Sequence, residues 1–269
     1  MKTALVISVY KNTRDLEVVL RSIEQQSVNN FEVIISEDGQ SQEMKDFVSN
    51  YQGSLHLIHF TQEDNGWQKN KSLNNVIRNT DADYFIFIDG DCVLHPDFVK
   101  NHLRFAKPKR ILAGKRIKLG EKYSEDLRNA LQIKNFSSKI VAEISSIKKD
   151  GAKFYEEGVY ISPDSILSVF ARVRSITNIK GCNFSCYKQA LIDINGFNED
   201  YKLPAIGEDI DLTWRFEGLG YKLFSVRNFA VQYHLYHKEN WSDQSVNEKI
   251  MKENQAKKQY VTLNGLKKL

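Results

Sequence analysis

The sequence is poor in cysteine and has no apolar run of the length that a membrane span requires. Its 269 residues contain three cysteines, Cys92, Cys182 and Cys186, without the dense pattern of a disulfide framework. Sparse cysteine suits a reducing compartment, and two thiols alone make a poor zinc site, so we interpret all three as small core residues. No run approaches the roughly 18 apolar residues of a transmembrane helix, and the N-terminus lacks a signal-peptide cleavage site. We therefore predict a cytoplasmic protein.

The sequence also lacks a strong charge of either sign, internal repeats and low-complexity segments. Its net charge is +4, from 38 Lys and Arg and 34 Asp and Glu. This excess is too small to indicate nucleic acid binding, so no nucleic acid partner is expected. Basic residues gather at 107–110 and in the C-terminal segment 256–269. The basic tail predicts weak peripheral contact with an anionic membrane, and a solvated surface is the alternative.

Strand and helix patterns alternate over the first hundred residues. Buried strands are predicted at residues 4–10, 31–36, 55–60 and 84–89, with amphipathic helical spacing between them. Such alternation predicts an α/β fold with a mostly parallel central sheet and helices on both faces. No linker divides the chain, so we expect a single domain.

Polar residues follow three of these strands directly. Right-handed crossovers place the carboxyl ends of parallel strands at one edge of the sheet, where open α/β sheets bind ligands. The residues expected at this edge are Ser8, Tyr10, Glu37, Asp38, Asp89 and Asp91. The sequence therefore predicts a ligand site there.

Asp89 and Asp91 are separated by one glycine at the end of a buried strand. Two carboxylates this close repel each other, so a cation is expected between them, and the pair could hold a divalent metal ion. A solvated turn is the alternative interpretation. His234 and His237, at the end of a late strand, could reach a metal already held by Asp91, although a structural role for them is equally open.

The segment "GEDIDL" at 207–212 opens a helix. Acidic residues in a first helical turn are favoured by the helix dipole, so capping explains part of the pattern. The adjacent acids Glu208 and Asp209, which follow a loop, are better explained by a carboxylate that faces a cleft.

Together, "SVYK", "SEDG", "DGD" and the long segment "KGCNFSCYKQALIDINGFNEDYKLPAIGEDIDL" at 180–212 resemble family 2 glycosyltransferases of the GT-A (Rossmann-like) fold. The C-terminal part resembles a galactosyltransferase-type acceptor region, and the resemblance covers nearly the whole chain. It implies a nucleotide-sugar-binding half at 1–115, an acceptor-binding half at 116–239 and a C-terminal helical tail at 240–269.

The resemblance also implies roles for individual residues on the donor side. Asp38 would accept a hydrogen bond from the uracil N3–H, and Asp89 would contact the ribose. Lys71 would lie near the base and phosphates, although the family often carries an arginine there. The remaining residues that the resemblance assigns to donor binding are Ser8, Tyr10, Asn74 and Gly181.

For the reaction itself, the resemblance implies a catalytic base at Asp209, with Glu208 beside it binding a sugar. Asp91 would bind Mn²⁺ or Mg²⁺ together with Asp89, and either His234 or His237 would complete the metal shell. The expected function is inverting, metal-dependent transfer of galactose, glucose or an N-acetylhexosamine from a UDP-sugar to a glycan or lipid-linked glycan, in surface polysaccharide synthesis at the inner face of the plasma membrane.

Two other functions stay open on the sequence. A nucleotidyltransferase also uses an α/β sheet and a divalent metal, but "SVYKNTRD" lacks the glycines of its phosphate loop. A non-catalytic module that binds sugar nucleotides or glycans would not need a base opposite the metal.

Overall fold

The computed structural model describes residues 1–129, 133–204, 206–238 and 243–269. Its strands are β1 Thr3–Val9, β2 Glu32–Glu37, β3 Leu57–Phe60, β4 Tyr84–Asp89, β5 Cys92–Leu94, β6 Arg110–Ala113, β7 Ile117–Lys118, β8 Asn183–Tyr187, β9 Lys222–Ser225 and β10 Gln232–His234. Its α-helices are α1 Thr13–Glu24, α2 Gln42–Ser49, α3 Lys69–Asn79, α4 Phe98–Phe105, α5 Glu121–Arg128, α6 Phe136–Ala142, α7 Ile144–Lys149, α8 Ser168–Arg172, α9 Lys188–Asp193, α10 Asp211–Gly218 and α11 Ser245–Ala256. A 3₁₀ helix covers Tyr155–Gly158, and a π-helical turn covers Ile206–Ile210.

Seven of the strands form the central sheet, in the order β3-β2-β1-β4-β8-β6-β9. β8 runs antiparallel to its neighbours β4 and β6, and the other neighbouring pairs are parallel. The prediction of a mostly parallel sheet is therefore confirmed, and the antiparallel β8 was not predicted.

Alternate residues of the central strands enter two separate hydrophobic cores, one on each face of the sheet. In β1, Leu5 and Ile7 pack into one core with α1, while Ala4 and Val6 pack into the other with α3. Each fully buried aliphatic side chain stabilises the fold by about 1.5–3 kcal/mol. This two-sided packing explains the nearly continuous apolar runs of β1 and β4, and the predicted helical layers on both faces are confirmed.

A second, three-stranded sheet lies beside the carboxyl end of β4 and has the order β5-β10-β7. In the antiparallel pair of β5 and β10, His234 lies opposite Cys92. The Leu235 N–H also donates to the Asp91 carbonyl at 2.9 Å. This strand pairing places His234, which comes late in the chain, close to Asp91.

The C-terminal segment is only partly helical. α11 covers Ser245–Ala256, and residues 257–269 return to the body of the protein instead of extending the predicted helical tail. The Asn195 side-chain amide donates to the Thr262 and Lys267 carbonyls at 2.8 and 2.9 Å. Arg78 donates to the Leu266 carbonyl at 2.8 Å. The segment predicted to contact a membrane is thus hydrogen-bonded to the fold.

Candidate active site

A cavity of about 540 Å³ lies at the carboxyl ends of β1, β2 and β4. It occupies the edge of the sheet at which the sequence predicted a ligand site. Six of the predicted residues line it, namely Ser8, Tyr10, Asp38, Asp89, Asp91 and His237.

Asp38 is nearly buried at the inner wall of this cavity. One of its carboxylate oxygens accepts from Gln62 Nε2 and the other from the Gln68 backbone N–H, both at 2.7 Å. Burial raises the pKa of the Asp38 carboxyl, and these two hydrogen bonds only partly oppose the rise. The two donors fix the orientation of the carboxylate, and free lone pairs remain on it for a further donor.

Asp89 and Asp91 face different partners. Lys69 Nζ donates to Asp89 Oδ1 at 2.7 Å, so this carboxylate is paired inside the cavity. Gly90 lies between them in a crowded turn, where a Cβ would lie 2.7 Å from Val9 Cγ1 and 3.2 Å from the Ser8 carbonyl oxygen. Lys69 thus pairs with Asp89, while the partners of Asp91 are the two histidines.

Asp91 is in contact with both predicted histidines. Its Oδ2 lies 3.4 Å from Nε2 of His234 and 3.4 Å from Nε2 of His237. Burial by itself would raise the pKa of the Asp91 carboxyl, but the two histidines and a nearby arginine outweigh it and lower the pKa below its ordinary value. Burial also lowers the pKa of His234, which favours the neutral imidazole that can bind a metal.

The donor atoms of these three side chains suit a divalent metal ion. The ligand atoms of Asp91, His234 and His237 all lie within 4.8 Å of one another. Two imidazole nitrogens and a carboxylate oxygen suit a transition ion such as Mn²⁺, whereas Mg²⁺ favours oxygen ligands alone. The residues therefore fit the predicted metal, and manganese better than magnesium.

Asp209 lies in the π-helical turn before α10. Its carboxylate accepts from Lys180 Nζ at 2.8 Å and from the Gly181 backbone N–H at 2.6 Å. Cys182, the next residue along the chain, has its Sγ within 4.8 Å of an Asp89 carboxylate oxygen. Asp209 is thus held by Gly181, a residue that the sequence analysis had assigned to donor binding and whose neighbour Cys182 approaches Asp89. Asp209 itself is not among the described residues that line the cavity. The side chain of Glu208 lies outside the described part of the structure.

Three of the predicted donor-binding residues, Lys71, Asn74 and Gly181, are not among the described residues that line the cavity. Lys71 is exposed on α3 and does not line the cavity. Asn74 is fully buried, accepts from the Phe197 N–H at 2.9 Å, and donates to the Phe197 carbonyl and to Glu199. Asn74 is a structural residue that fixes the "NGF" turn, so its predicted contact with the nucleotide is wrong.

Lys69 and Trp67 are cavity residues that the sequence analysis missed. Residues two apart on a helix lie about 200° apart around its axis, so Lys69 and Lys71 face opposite sides of α3. A helical signal for Lys69 was available, because it lies four residues before the core residue Leu73 and so shares the inward face. Trp67 precedes the helix and left no comparable signal.

Comparisons with known proteins identify the family of this chain. A model of glycosyl transferase family 2 matches residues 4–168. The chain belongs to this family. A second model, described as the N-terminal domain of galactosyltransferase, matches residues 163–238, which include Asp209 and both histidines.

Validoxylamine A glucosyltransferase of Streptomyces hygroscopicus subsp. jinggangensis is 29% identical over 129 residues, which make up 47% of this chain and 30% of the relative. The match thus spans less than a third of that relative's length.

Two solved structures share the fold. TarS 1-349 of S. aureus in complex with UDP aligns at a TM-score of 0.59 and 14% identity, covering 93% of this chain and 63% of that one. The mannosyltransferase PcManGT from Pyrobaculum calidifontis, in complex with GDP-Man and Mn²⁺, aligns at a TM-score of 0.54 and 14% identity, covering 96% and 62%. These likenesses confirm the predicted GT-A fold.

Proposed function

We propose that this protein is an inverting glycosyltransferase that moves a hexose or N-acetylhexosamine from a UDP-sugar to a hydroxyl group of a glycan. The observation that carries the proposal is the meeting of Asp91, His234 and His237 beside a cavity lined by Asp38 and Asp89. Residues from distant parts of the chain supply the acids, the metal ligands and a base, and this combination is what sugar transfer from a nucleotide requires.

Asp38 and Lys69 are suited to bind the donor. The oriented carboxylate of Asp38 can accept from the N3–H of uracil. Lys69 Nζ, already 2.7 Å from Asp89, can donate to a phosphate oxygen within the same cavity. We therefore assign to Lys69 the phosphate contact that the sequence analysis gave to Lys71. We also propose that Ser8 and Tyr10, which line the cavity, contact the donor, and that Gly181 contacts it from outside this lining.

Asp91, His234 and His237 would hold Mn²⁺, and Mg²⁺ less well. A bound divalent cation supplies positive charge that neutralises the departing diphosphate. Because both histidines lie at the same distance from Asp91, we propose that both act as ligands.

Asp209 is proposed to be the catalytic base. Transfer breaks the bond between the anomeric carbon and the diphosphate oxygen, and the electron pair leaves with UDP. The acceptor oxygen bonds to the opposite face of the sugar and gives its proton to Asp209. Attack from that face inverts the configuration of the anomeric carbon. Lys180 and Gly181 orient the carboxylate and leave lone pairs for that proton. We propose Glu208 as an adjacent sugar contact.

The acceptor is proposed to be a glycan or lipid-linked glycan of a surface polysaccharide. The galactosyltransferase-type match at 163–238 supports an acceptor half that contains Asp209. A cytoplasmic location beside the inner membrane face is proposed because the three cysteines are buried and unpaired, which suits a reducing compartment. No helix among the described residues has both the length and the apolar character of a membrane span.

The proposal is tested by titrating UDP with and without Mn²⁺, and then by screening UDP-sugars for UDP release. We expect tighter UDP binding with Mn²⁺, and turnover with one class of UDP-hexose when a glycan acceptor is present. Pyrophosphate as the product would instead indicate a nucleotidyltransferase. Metal-dependent binding without turnover on any donor would indicate a binding module.

A further inference from the structure

Five apolar side chains project into solvent from one short stretch of the chain. Ile166 is 91% exposed and Val173 76%, and Leu167, Val169 and Phe170 are each more than half exposed. Among the described residues, no other stretch of eight exposes as many large apolar side chains. Exposed apolar surface of this kind marks an interaction site, and we call it the Ile166–Val173 face.

This face is fixed to the body of the protein. Ala171 is fully buried in the core beneath α8. Arg104 forms two hydrogen bonds to the Asp164 carboxylate, at 2.7 and 2.6 Å. The guanidinium of Arg172 lies 5.8 Å from the ring centroid of Phe229. The apolar side chains are therefore presented outward by an anchored segment.

Basic residues outnumber acidic ones beside the face. The hydrogen bond from Arg104 is the main cause that lowers the pKa of the Asp164 carboxyl, and Lys100 and Arg172 also act on it. Lys100 also pairs with Asp97 at 3.4 Å. The basic residues of this group are Lys100, Arg104 and Arg172, and the carboxylates beside them are those of Asp97 and Asp164.

We propose that the Ile166–Val173 face inserts into the interface of an anionic lipid membrane. The exposed apolar side chains lie within eight consecutive residues of one anchored segment, which suits shallow insertion among lipid head groups. The neighbouring cations match the negative surface of an anionic leaflet. This assigns membrane contact to a different surface from the C-terminal tail.

The position of the face has a consequence for the acceptor, which rests on the proposed function. Lys180 and Gly181, which hold Asp209, follow Val173 by seven and eight residues, so at most roughly 30 Å of chain separates them from the face. A base within that reach of the bilayer surface suits an acceptor whose lipid part stays in the membrane. Membrane binding itself does not depend on transfer activity.

The test measures co-sedimentation of the whole protein with phosphatidylcholine vesicles, with and without phosphatidylglycerol, in the absence of donor and acceptor. We expect binding only to the anionic vesicles, and a decrease with added salt. The I166D/F170D variant should bind at least about tenfold more weakly, since it loses two inserted apolar side chains. The matched control is V261D/L263D, which alters two exposed apolar residues of the C-terminal tail and should bind like the parent. The K100Q variant should bind the anionic vesicles more weakly and with a smaller salt dependence.

UDP affinity of I166D/F170D should equal that of the parent, which shows that the variant is folded. The proposal is overturned if the parent does not bind anionic vesicles, or if I166D/F170D binds as the parent does. It is also overturned if V261D/L263D causes the same loss, because the tail would then be the contact. Sedimentation measures the oligomeric state of both proteins. If the parent is a dimer and I166D/F170D is a monomer, the proposal is overturned and the face is an interface between two copies of the chain.

Discussion

Asp209 has two possible roles, catalytic base and structural cap, and the structure contains the contacts for both. Its carboxylate accepts from Gly181 N–H and pairs with Lys180, while its backbone carbonyl accepts from the Thr213 hydroxyl at 2.9 Å. An asparagine could keep the Gly181 contact through its amide oxygen. Substitution therefore separates proton transfer from positioning.

We predict that Asp209→Asn lowers kcat by about 10²–10⁴-fold and leaves UDP affinity nearly unchanged, because a general base is removed and the donor cavity is not. The measurement is kcat at saturating donor and acceptor, with UDP titration on the same sample. If Asp209 is only a cap, stability should fall by about 1 kcal/mol and kcat should stay within a few-fold of the parent.

Lys69 and Lys71 carry the same charge and lie on opposite sides of α3, so one can serve as the control for the other. We predict that Lys69→Met weakens UDP binding by roughly 10–100-fold, the usual effect of losing a hydrogen bond to a charged group. Lys71→Met should change it less than about twofold, because exposed charges contribute little. The measurement is UDP affinity by calorimetry. Equal losses in the two variants would contradict the assignment of Lys69 to the phosphates.

At the metal site we predict that Asp91→Asn removes the gain in UDP affinity that Mn²⁺ provides. The amide keeps the size of the side chain but loses the charge that two histidines share. Asp81→Asn is the control, since that carboxylate is 92% exposed and pairs only with Lys2 in the described structure. UDP is titrated into each variant with and without a fixed concentration of Mn²⁺. An unchanged Mn²⁺ effect in Asp91→Asn would mean that the metal binds elsewhere.

At the scale of elements, the sequence predicted the strands of the first half because their apolar runs are nearly continuous. It predicted the acidic edge because the carboxyl ends of parallel strands lie at one edge of a sheet. It could not predict that β8 is antiparallel, or that β10 leaves the central sheet to pair with β5. Both depend on pairings between residues far apart in the chain, which local periodicity does not encode.

The "NGF" turn shows a further limit of sequence motifs. Asn195 and Gly196 both have left-handed backbones, with φ of 59° and 75°. The buried Arg215 donates to the Ile194 and Gly196 carbonyls, at 3.0 and 2.7 Å. This motif contributed to the recognition of the family, yet its contacts in this chain join α9, α10 and the C-terminal segment. A motif can thus identify a family through its structural residues.

We predict that Asn195→Ala destabilises the protein by about 2–4 kcal/mol. It removes the side-chain hydrogen bonds to Thr262 and Lys267, and alanine is less tolerant of a left-handed backbone. Asn79→Ala is the control, because that exposed amide bonds only within α3 among the described residues. Urea unfolding measures both variants. A change below about 0.5 kcal/mol in Asn195→Ala would mean that the C-terminal segment adds little to the fold.

At the scale of the whole molecule, buried histidines make the free energy of unfolding depend on pH. His102 is fully buried between β8 side chains, 2.7 Å from Ser185 Oγ and 3.1 Å from Asn183 Oδ1. Burial lowers its pKa to about 3, and burial likewise lowers the pKa of His95 to about 4. Both imidazoles therefore stay neutral in the folded protein at pH values where an exposed histidine is protonated.

The sign of the pH dependence follows from these shifts. Below the ordinary histidine pKa of about 6.5, the unfolded chain binds a proton at His102 that the folded protein does not bind, so the free energy of unfolding decreases as the pH falls towards 3. The slope is at most about 1.4 kcal/mol per pH unit for this residue. Between pH 6.5 and pH 5, His102 should therefore cost the parent about 2 kcal/mol.

We predict that His102→Gln, which cannot be protonated, loses less stability between pH 7 and pH 5 than the parent does, by about 2 kcal/mol. Its absolute stability at pH 7 will also differ because the buried hydrogen bonds change, so only the difference between the two pH values is compared. His56→Gln is the control, since His56 is exposed. Urea unfolding of the three proteins at both pH values gives the result. Equal losses in the parent and in His102→Gln would show that the core admits the protonated imidazole, and that the acid sensitivity of the fold arises elsewhere.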